Sequence, residues 1–441
     1  MSGLYSTITG ALVVVLFLQP TLLNAANKSH APLPEPLTLD YALSLANEAT
    51  PDMQLYQADI STAEAGLQQA ESMTGFNSSL EARARWVDPS DVSIDQGSDD
   101  HRLGLIATQT LYDFGRSHAA ESSAKNQLQA SRLQYLDARQ RRRIEIMRRY
   151  FDVMLADLQF LRYNEEMATA FLDMDRTRDR RELGQASDID VLEKQVENQR
   201  IRHLRYKSQN EQRLTRALLA TALNRPGQLS QNLSKPNLPQ LKWKLAELEE
   251  YQQQAKATNL ALKASQLRVT AAEQKLNEAR ARYNPALKGK LEAYTYSREL
   301  GSNDNWRAGI TLEVPITSGG ESSAGIAKAQ ALLYREQARY RKTVLTIERT
   351  ILETWLELDA LRFRVEEMKA GSEYRELYLD RSRALYEMEV KTDLGDAMVR
   401  VSEAERNLLT VEFNIAIAWA RLAALTGQTQ PLTDNKPNTP Q

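Results

Sequence analysis

The chain has 441 residues, 42% hydrophobic, 26% charged and only 7% aromatic, with a formal net charge of −2. That length accommodates two or three ordinary domains, and the near-neutral balance supplies no global field for nucleic acid. The absence of cysteine excludes disulfides, thiolate metal sites, cysteine nucleophiles and a lipid-bearing N-terminal cysteine; the four histidines, His30, His101, His118 and His203, share no ligand spacing.

At the N-terminus the apolar run Ala11 to Leu18 is too short to span a bilayer but has the length of a secretory hydrophobic region. Small residues follow at Ala25 and Ala26, although no lysine or arginine precedes the run. Residues 1–25 are expected to be a cleaved signal that takes the mature chain out of the cytoplasm, with 26–36 as a linker. No later stretch reaches 18 consecutive apolar residues, so no transmembrane helix is expected downstream.

The remainder reads as one arrangement used twice. A helical stretch from Thr38 to Met73 leads into two short alternating segments, Leu80 to Val87 and His101 to Leu111. Between Gly115 and Gly184 there is no internal Gly or Pro, which allows a helix of roughly 100 Å at about 1.5 Å per residue. A turn follows, then a helix from Ser187 to Leu223. The same order returns as a helix from Leu245 to Arg282, alternating segments at Leu287 to Ser297 and Trp306 to Val314, a long helix, a turn and a return helix. Gly115 matches Gly320 and Ser187 matches Thr392, each at 320 − 115 = 392 − 187 = 205. The first repeat is expected over 37–226 and the second over 245–428. A Pro-rich linker (227–244) joins them, and a disordered tail (429–441) follows.

A helix of that length needs a partner along its whole course. The two shorter helices of each repeat together match it, so they are expected to stack end to end beside it. Ile144, Met147, Phe151, Met154, Leu158 and Leu161 step at alternating threes and fours, and so do Val344, Ile347, Ile351, Thr354, Leu358, Leu361, Val365 and Met368. That rhythm predicts coiled-coil seams. The arginine-rich run from Arg139 to Arg149 lies within the first long helix and is read as a solvated helix face.

The alternating segments have the two-residue period of strands. Glu81, Arg83 and Arg85 oppose Leu80, Ala82, Ala84 and Trp86; Arg307 and Glu313 oppose Trp306, Ala308, Ile310, Leu312 and Val314. The Leu287 to Ser297 segment alternates less cleanly. A soluble sandwich alternates too, but one face here carries full charges. A transmembrane barrel needs an apolar outside, a polar inside and at least about eight strands to close. Four strands per chain therefore require two or more chains, with Glu81, Arg83, Arg85, Arg307 and Glu313 lining the lumen.

At the turns, Ser187 with Asp190 fits a capping box, and Thr392 can cap the equivalent helix. Asp188, Asp190, Asp393 and Asp396 have two compatible readings: acids favoured by a helix N-terminus, and carboxylates narrowing a mouth. No Gly-rich phosphate loop, metal cluster or nucleophile–base set stands out, so neither an enzyme nor a cofactor is expected.

In these residues the chain resembles the TolC-like outer-membrane efflux proteins. The likeness rests on the strand-to-helix junctions LYDFGR (111–116) and PITSGG (315–320). It rests further on the turn pattern Gly184, Ser187, Asp190, Val191 and Leu192, and on the closing ALTG (424–427). The resemblance implies an α+β membrane protein, in which long coiled-coil hairpins form a periplasmic tunnel and each chain lends four strands to a shared transmembrane β-barrel. It implies a homotrimer in the outer membrane of a Gram-negative bacterium, acting as the passive exit duct of an efflux or type I secretion system. A periplasmic adaptor and an inner-membrane transporter would open it. Gly184, Ser187, Asp188, Asp190, Thr392, Asp393 and Asp396 would then lie at the periplasmic tip. The second turn departs from the pattern: Glu389 stands opposite Gly184 and Gly395 opposite Asp190. The competing reading is a periplasmic coiled-coil scaffold with a soluble β domain.

Overall fold

In the computed structural model, residues 32–93, 95–298, 303–388, 390 and 393–428 are described. The expected signal (1–25), the tail (429–441), Thr392 and Glu389 lie outside them. The described chain runs α1 (Leu39–Ser44), α2 (Pro51–Glu71), β1 (Asn77–Arg83), β2 (Arg102–Tyr112), α3 (Arg116–Glu182) and α4 (Asp188–Ala222). It continues through α5 (Leu248–Thr258), α6 (Leu260–Arg280), β3 (Ala286–Tyr296), β4 (Trp306–Glu313), α7 (Glu321–Glu387) and α8 (Leu394–Leu425).

The two long helices are equal: α3 and α7 have 67 residues each, and their starts are 321 − 116 = 205 apart. Each starts after a glycine, Gly115 and Gly320, both with φ of 93°, a left-handed conformation that a side chain would penalise. Their first turns are closed by equivalent side chains. Asp113 Oδ2 accepts from Ser117 N at 2.8 Å and Ser318 Oγ from Ser322 N at 3.1 Å.

The expected first helix of each repeat is broken instead of continuous. Thr50 caps α2 by accepting from Met53 N, and Pro51 at the first helical position donates nothing to a preceding turn. Asn259 separates α5 from α6 and accepts from Leu262 N at 2.9 Å, while its Nδ2 donates to Leu425 O at 2.9 Å. The breaks are equivalent, at 259 − 50 = 209, the same offset by which Ala63 precedes Ala272. Both are capping residues, which leave no mark on apolar periodicity.

End-to-end stacking is present. Along α3, α2 packs near the sheet, where Arg132 pairs with Glu64 at 2.9 Å; α4 packs along the far half, where Arg216 grips Asp157 at 2.7 and 2.9 Å. On α7 the succession is α6, α5 and then α8. The repeats join through β2 against β3, α3 against α6 near the sheet, and α3 against α8 farther along, where the Phe151 and Phe413 rings stack at 4.1 Å. The seam on α7 is as expected, with Ile351 and Leu358 fully buried. That on α3 is wider. Ile146, Tyr150 and Val153 are buried as well, because α1, α4 and α8 surround this part of the helix, whereas Leu161 is exposed. The Tyr150 hydroxyl donates to Leu37 O at 2.8 Å and Ser234 O at 2.6 Å, tying the N-terminal segment and the linker to the core.

Among the described residues one helix, α8, is long and apolar enough to cross a membrane. It is buried against α3 and α7, with Ala397, Ala416 and Ala418 fully covered. The arginine run is partly structural. Arg142 donates to the carbonyls of Leu45 (3.1 Å), Ala46 (3.2 Å) and Glu48, closing the end of the α1 segment, while Arg149 pairs with Glu145 at 2.7 Å.

Candidate functional site: a two-faced sheet and two helical turns

The strands form one antiparallel sheet in the order β1-β2-β3-β4, so within the chain β1 and β4 have open edges. The register sorts the side chains. Glu81 lies opposite Gly104, Gly104 opposite Tyr294, Arg83 opposite Arg102 and Glu292 opposite Arg307. Ala82 lies opposite Leu103, Leu105 opposite Ala293, Leu291 opposite Ala308 and Leu287 opposite Leu312. A slip of one residue would exchange the faces. In this register every charged side chain of the four strands falls on one face, and the other carries Leu80, Leu105, Leu291, Trp306, Ile310 and Leu312, all exposed.

The charged face is a network. Glu81 lies between Arg102 (2.7 Å) and Arg83 (3.2 Å). Glu292 lies between Lys290 (2.9 Å) and Arg307 (3.8 Å) and also accepts from the Tyr294 hydroxyl at 2.9 Å. Glu313 pairs with Lys288. The Tyr294 ring lies over Gly104, where a Cβ would collide with it, and Arg102 stacks on that ring at 5.1 Å.

Four of the five expected lumen residues, Glu81, Arg83, Arg307 and Glu313, lie in this row. Arg85 does not. The strand expected at Leu80 to Val87 occupies Asn77–Arg83, and Arg85 sits past its end, pairing with Asp100 of the loop while Trp86 bridges to Asp99. Lys288, Lys290 and Glu292 also lie in this row and were not among the expected lumen residues. Gly289, Tyr294 and Thr295 blurred the pattern of β3, because tyrosine counts as apolar while its hydroxyl here serves the polar face. At the helix-side ends of the strands, Phe76, Tyr112, Phe114 and Tyr283 are exposed. Such aromatic side chains at strand ends suit a membrane–water interface.

The first turn is built as expected. Gly184 (φ 73°) ends α3, with Gln185 N donating back to Arg180 O at 2.7 Å. Asp190 N donates to Ser187 Oγ at 3.2 Å, and Asp190 Oδ2 accepts from Ser187 N at 2.7 Å, completing the capping box. That backbone donor, with the Ser187 hydroxyl, holds the Asp190 carboxyl below its ordinary range. Asp188 accepts from Arg181 Nε at 2.8 Å.

The second turn is built differently. α8 is capped at Asp393, one residue after the expected Thr392, and the Asp393 side chain makes no capping bond. Instead Asp393 Oδ2 accepts from the Tyr378 hydroxyl at 2.9 Å, which pushes that hydroxyl's pKa up. Asp396 lies 3.7 Å from Arg400 and borders a cleft shared with Arg162 and Glu166 of α3 and Lys194 and Glu197 of α4. No hydrogen bond or ion pair joins Asp188 or Asp190 to Asp393 or Asp396 among the described residues. Gly395 presses on α3, where a Cβ would lie 2.7 Å from Thr169 Oγ1. Beside it, Ser402 Oγ donates to Glu165 at 2.6 Å, and Arg162 faces Glu403 at 3.7 Å.

Residues 251–428 match the family model described as outer membrane efflux protein. No curated protein matches the sequence. The fold is shared with solved structures. The outer membrane protein VceC from Vibrio cholerae is 17% identical with a TM-score of 0.71, over 89% of this chain and 97% of that one. The CmeC outer membrane channel of Campylobacter jejuni is 14% identical with a TM-score of 0.72, over 89% and 87%. The open-state MtrE outer membrane channel of Neisseria gonorrhoeae is 17% identical with a TM-score of 0.69, over 90% and 91%.

Proposed function

We propose that this protein, whose residues 251–428 match the outer membrane efflux protein model, works as a homotrimeric exit duct: a shared β-barrel in the outer membrane continued by a helical tunnel through the periplasm. The observation that carries the reading is the sheet. It has one face that carries all the charged side chains of the strands, an exposed apolar face and two open edges. Open edges do not survive in lipid, where each unpaired backbone group costs several kcal/mol. Three copies joined β1 to β4 provide twelve strands, enough for closure.

The helices have the same open ends. Across the layer the order is α4, α3, α8, α7. α4 exposes Ile189, Leu192 and Val196, and α7 exposes Leu352, Leu356 and Phe363. Head-to-tail contact of α4 with the next copy's α7 would cover both sets while the barrel closes above, a heterologous interface that ends in a ring. The duct itself is passive. A periplasmic adaptor and an inner-membrane transporter supply the cargo and the energy, and the turns carrying Asp188, Asp190, Asp393 and Asp396 form the periplasmic mouth.

Reconstitution in planar bilayers tests the proposal. Discrete channels are expected, from protein that fractionates with outer membranes and stays dispersed only in detergent. A soluble, non-conducting protein would instead support the periplasmic scaffold.

A further inference from the structure

Beneath the sheet, α2, α3, α6 and α7 lie side by side and border one open trough of about 1000 Å³. A space touched by four helices in a row is on the concave side of that row, and in a closed ring the concave side is the lumen. Its floor is made of small residues, Ala63, Gly66, Ala120 and Ala271 among them, which leave the space open.

The charges around it are unbalanced. Glu336 is shared by Arg335 (3.5 Å) and Arg339 (2.7 Å), and Lys275 pairs with Glu278 at 2.7 Å. Arg116 and Arg268 also border the trough, and neither has a carboxylate within ion-pair distance among the described residues. The Arg116 Nε is buried without a hydrogen-bond acceptor. Arg116 is moreover in the first turn of α3, where the helix dipole disfavours a cation. Asp59 is the one trough carboxylate outside these pairings. The same excess occurs in the sheet, where Glu81 and Glu292 are each shared by two cations. Glutamate held between two cations therefore recurs from the barrel down into the tunnel, and each such triad is net positive.

We propose that this trough is a binding station for multivalent anions, with Arg116 and Arg268 as its free donors, and that the duct is cationic in its body although acidic at its turns. The lumenal placement rests on the proposed duct. Guanidinium groups without a local carboxylate provide forked donors for phosphate- or carboxylate-bearing molecules. Three copies around one axis, in a wall of low dielectric, add their fields.

The test uses inorganic tripolyphosphate on the full-length protein, by calorimetry in detergent and by single-channel recording with the anion added on the sheet side. Saturable binding and block are expected, and the double variant Arg116→Gln/Arg268→Gln should raise both the Kd and the half-blocking concentration at least tenfold. The effect should weaken with salt, as for exposed charges. Channels that tripolyphosphate leaves unblocked, or blocks equally in the double variant, would overturn the anion station and leave the duct standing. Binding lost in the double variant without any conducting channel would support the station and overturn the duct.

Discussion

At position 395 the second repeat carries glycine where the first carries Asp190, and the structure gives a steric reason. Asp190 completes a capping box on an exposed turn, whereas Gly395 faces α3 with no room for a Cβ beside Thr169. Gly395→Asp, which restores the repeat, is therefore expected to destabilise the protein by about 1–3 kcal/mol through overpacking. Thr169→Ala in the same chain should recover much of that loss in thermal unfolding; no recovery would mean that the contact is not the cause. The first turn behaves in the opposite way. Ser187→Ala removes the cap and should cost about 1 kcal/mol. The Asp190 carboxyl titrates below its unfolded range, so its contribution is present above the ordinary carboxylate pKa and disappears as pH falls through the depressed folded value. The protection of the amides at residues 188–191, taken relative to their intrinsic exchange at each pH, should accordingly fall only in acid, and unchanged protection across the acid range would remove Asp190 from the turn's stability.

Among the elements, legibility followed periodicity. α3 was visible because no Gly or Pro falls within its 67 residues, and α7, which contains Gly325 and Gly371, because it repeats α3 at the same length. β4 was visible because apolar and polar residues alternate along it, and β2 because Leu103, Leu105 and Ala107 alternate with Arg102, Gly104 and Thr108, although Ile106 departs from that pattern. What escaped was set by single polar atoms or by contacts distant in sequence. The breaks at Thr50 and Asn259 are capping events, β3 was obscured by a tyrosine serving the polar face, and Arg85 left the strand because its partner Asp100 lies in the loop. The closeness of Gly395 to Thr169 spans 226 positions (395 − 169) and has no local signal. The observed register sharpens the test of the two faces. Ala82 lies opposite Leu103 on the apolar face, so Ala82→Asp should impair insertion by about 2 kcal/mol if it lies near the bilayer midplane. Arg83→Asp, set opposite Arg102 on the charged face, should insert normally. Similar outer-membrane yields for the two variants would show that the faces are misassigned.

On the scale of the whole molecule, the acids of the second turn have separate jobs: Asp393 holds Tyr378, and Asp396 faces the cleft between the repeats. If they also narrow a shared mouth, Asp393→Asn/Asp396→Asn should weaken block by polyvalent cations added from the turn side. A purely structural role predicts a lower melting temperature with block unchanged. All of this depends on closure, because a single chain exposes an apolar sheet face, two strand edges and the apolar flanks of α4 and α7. The most direct test is the mass of the detergent-solubilised particle, measured one molecule at a time. A population at three chains that persists on dilution is expected, and a stable monomer or dimer in detergent would contradict closure by three copies.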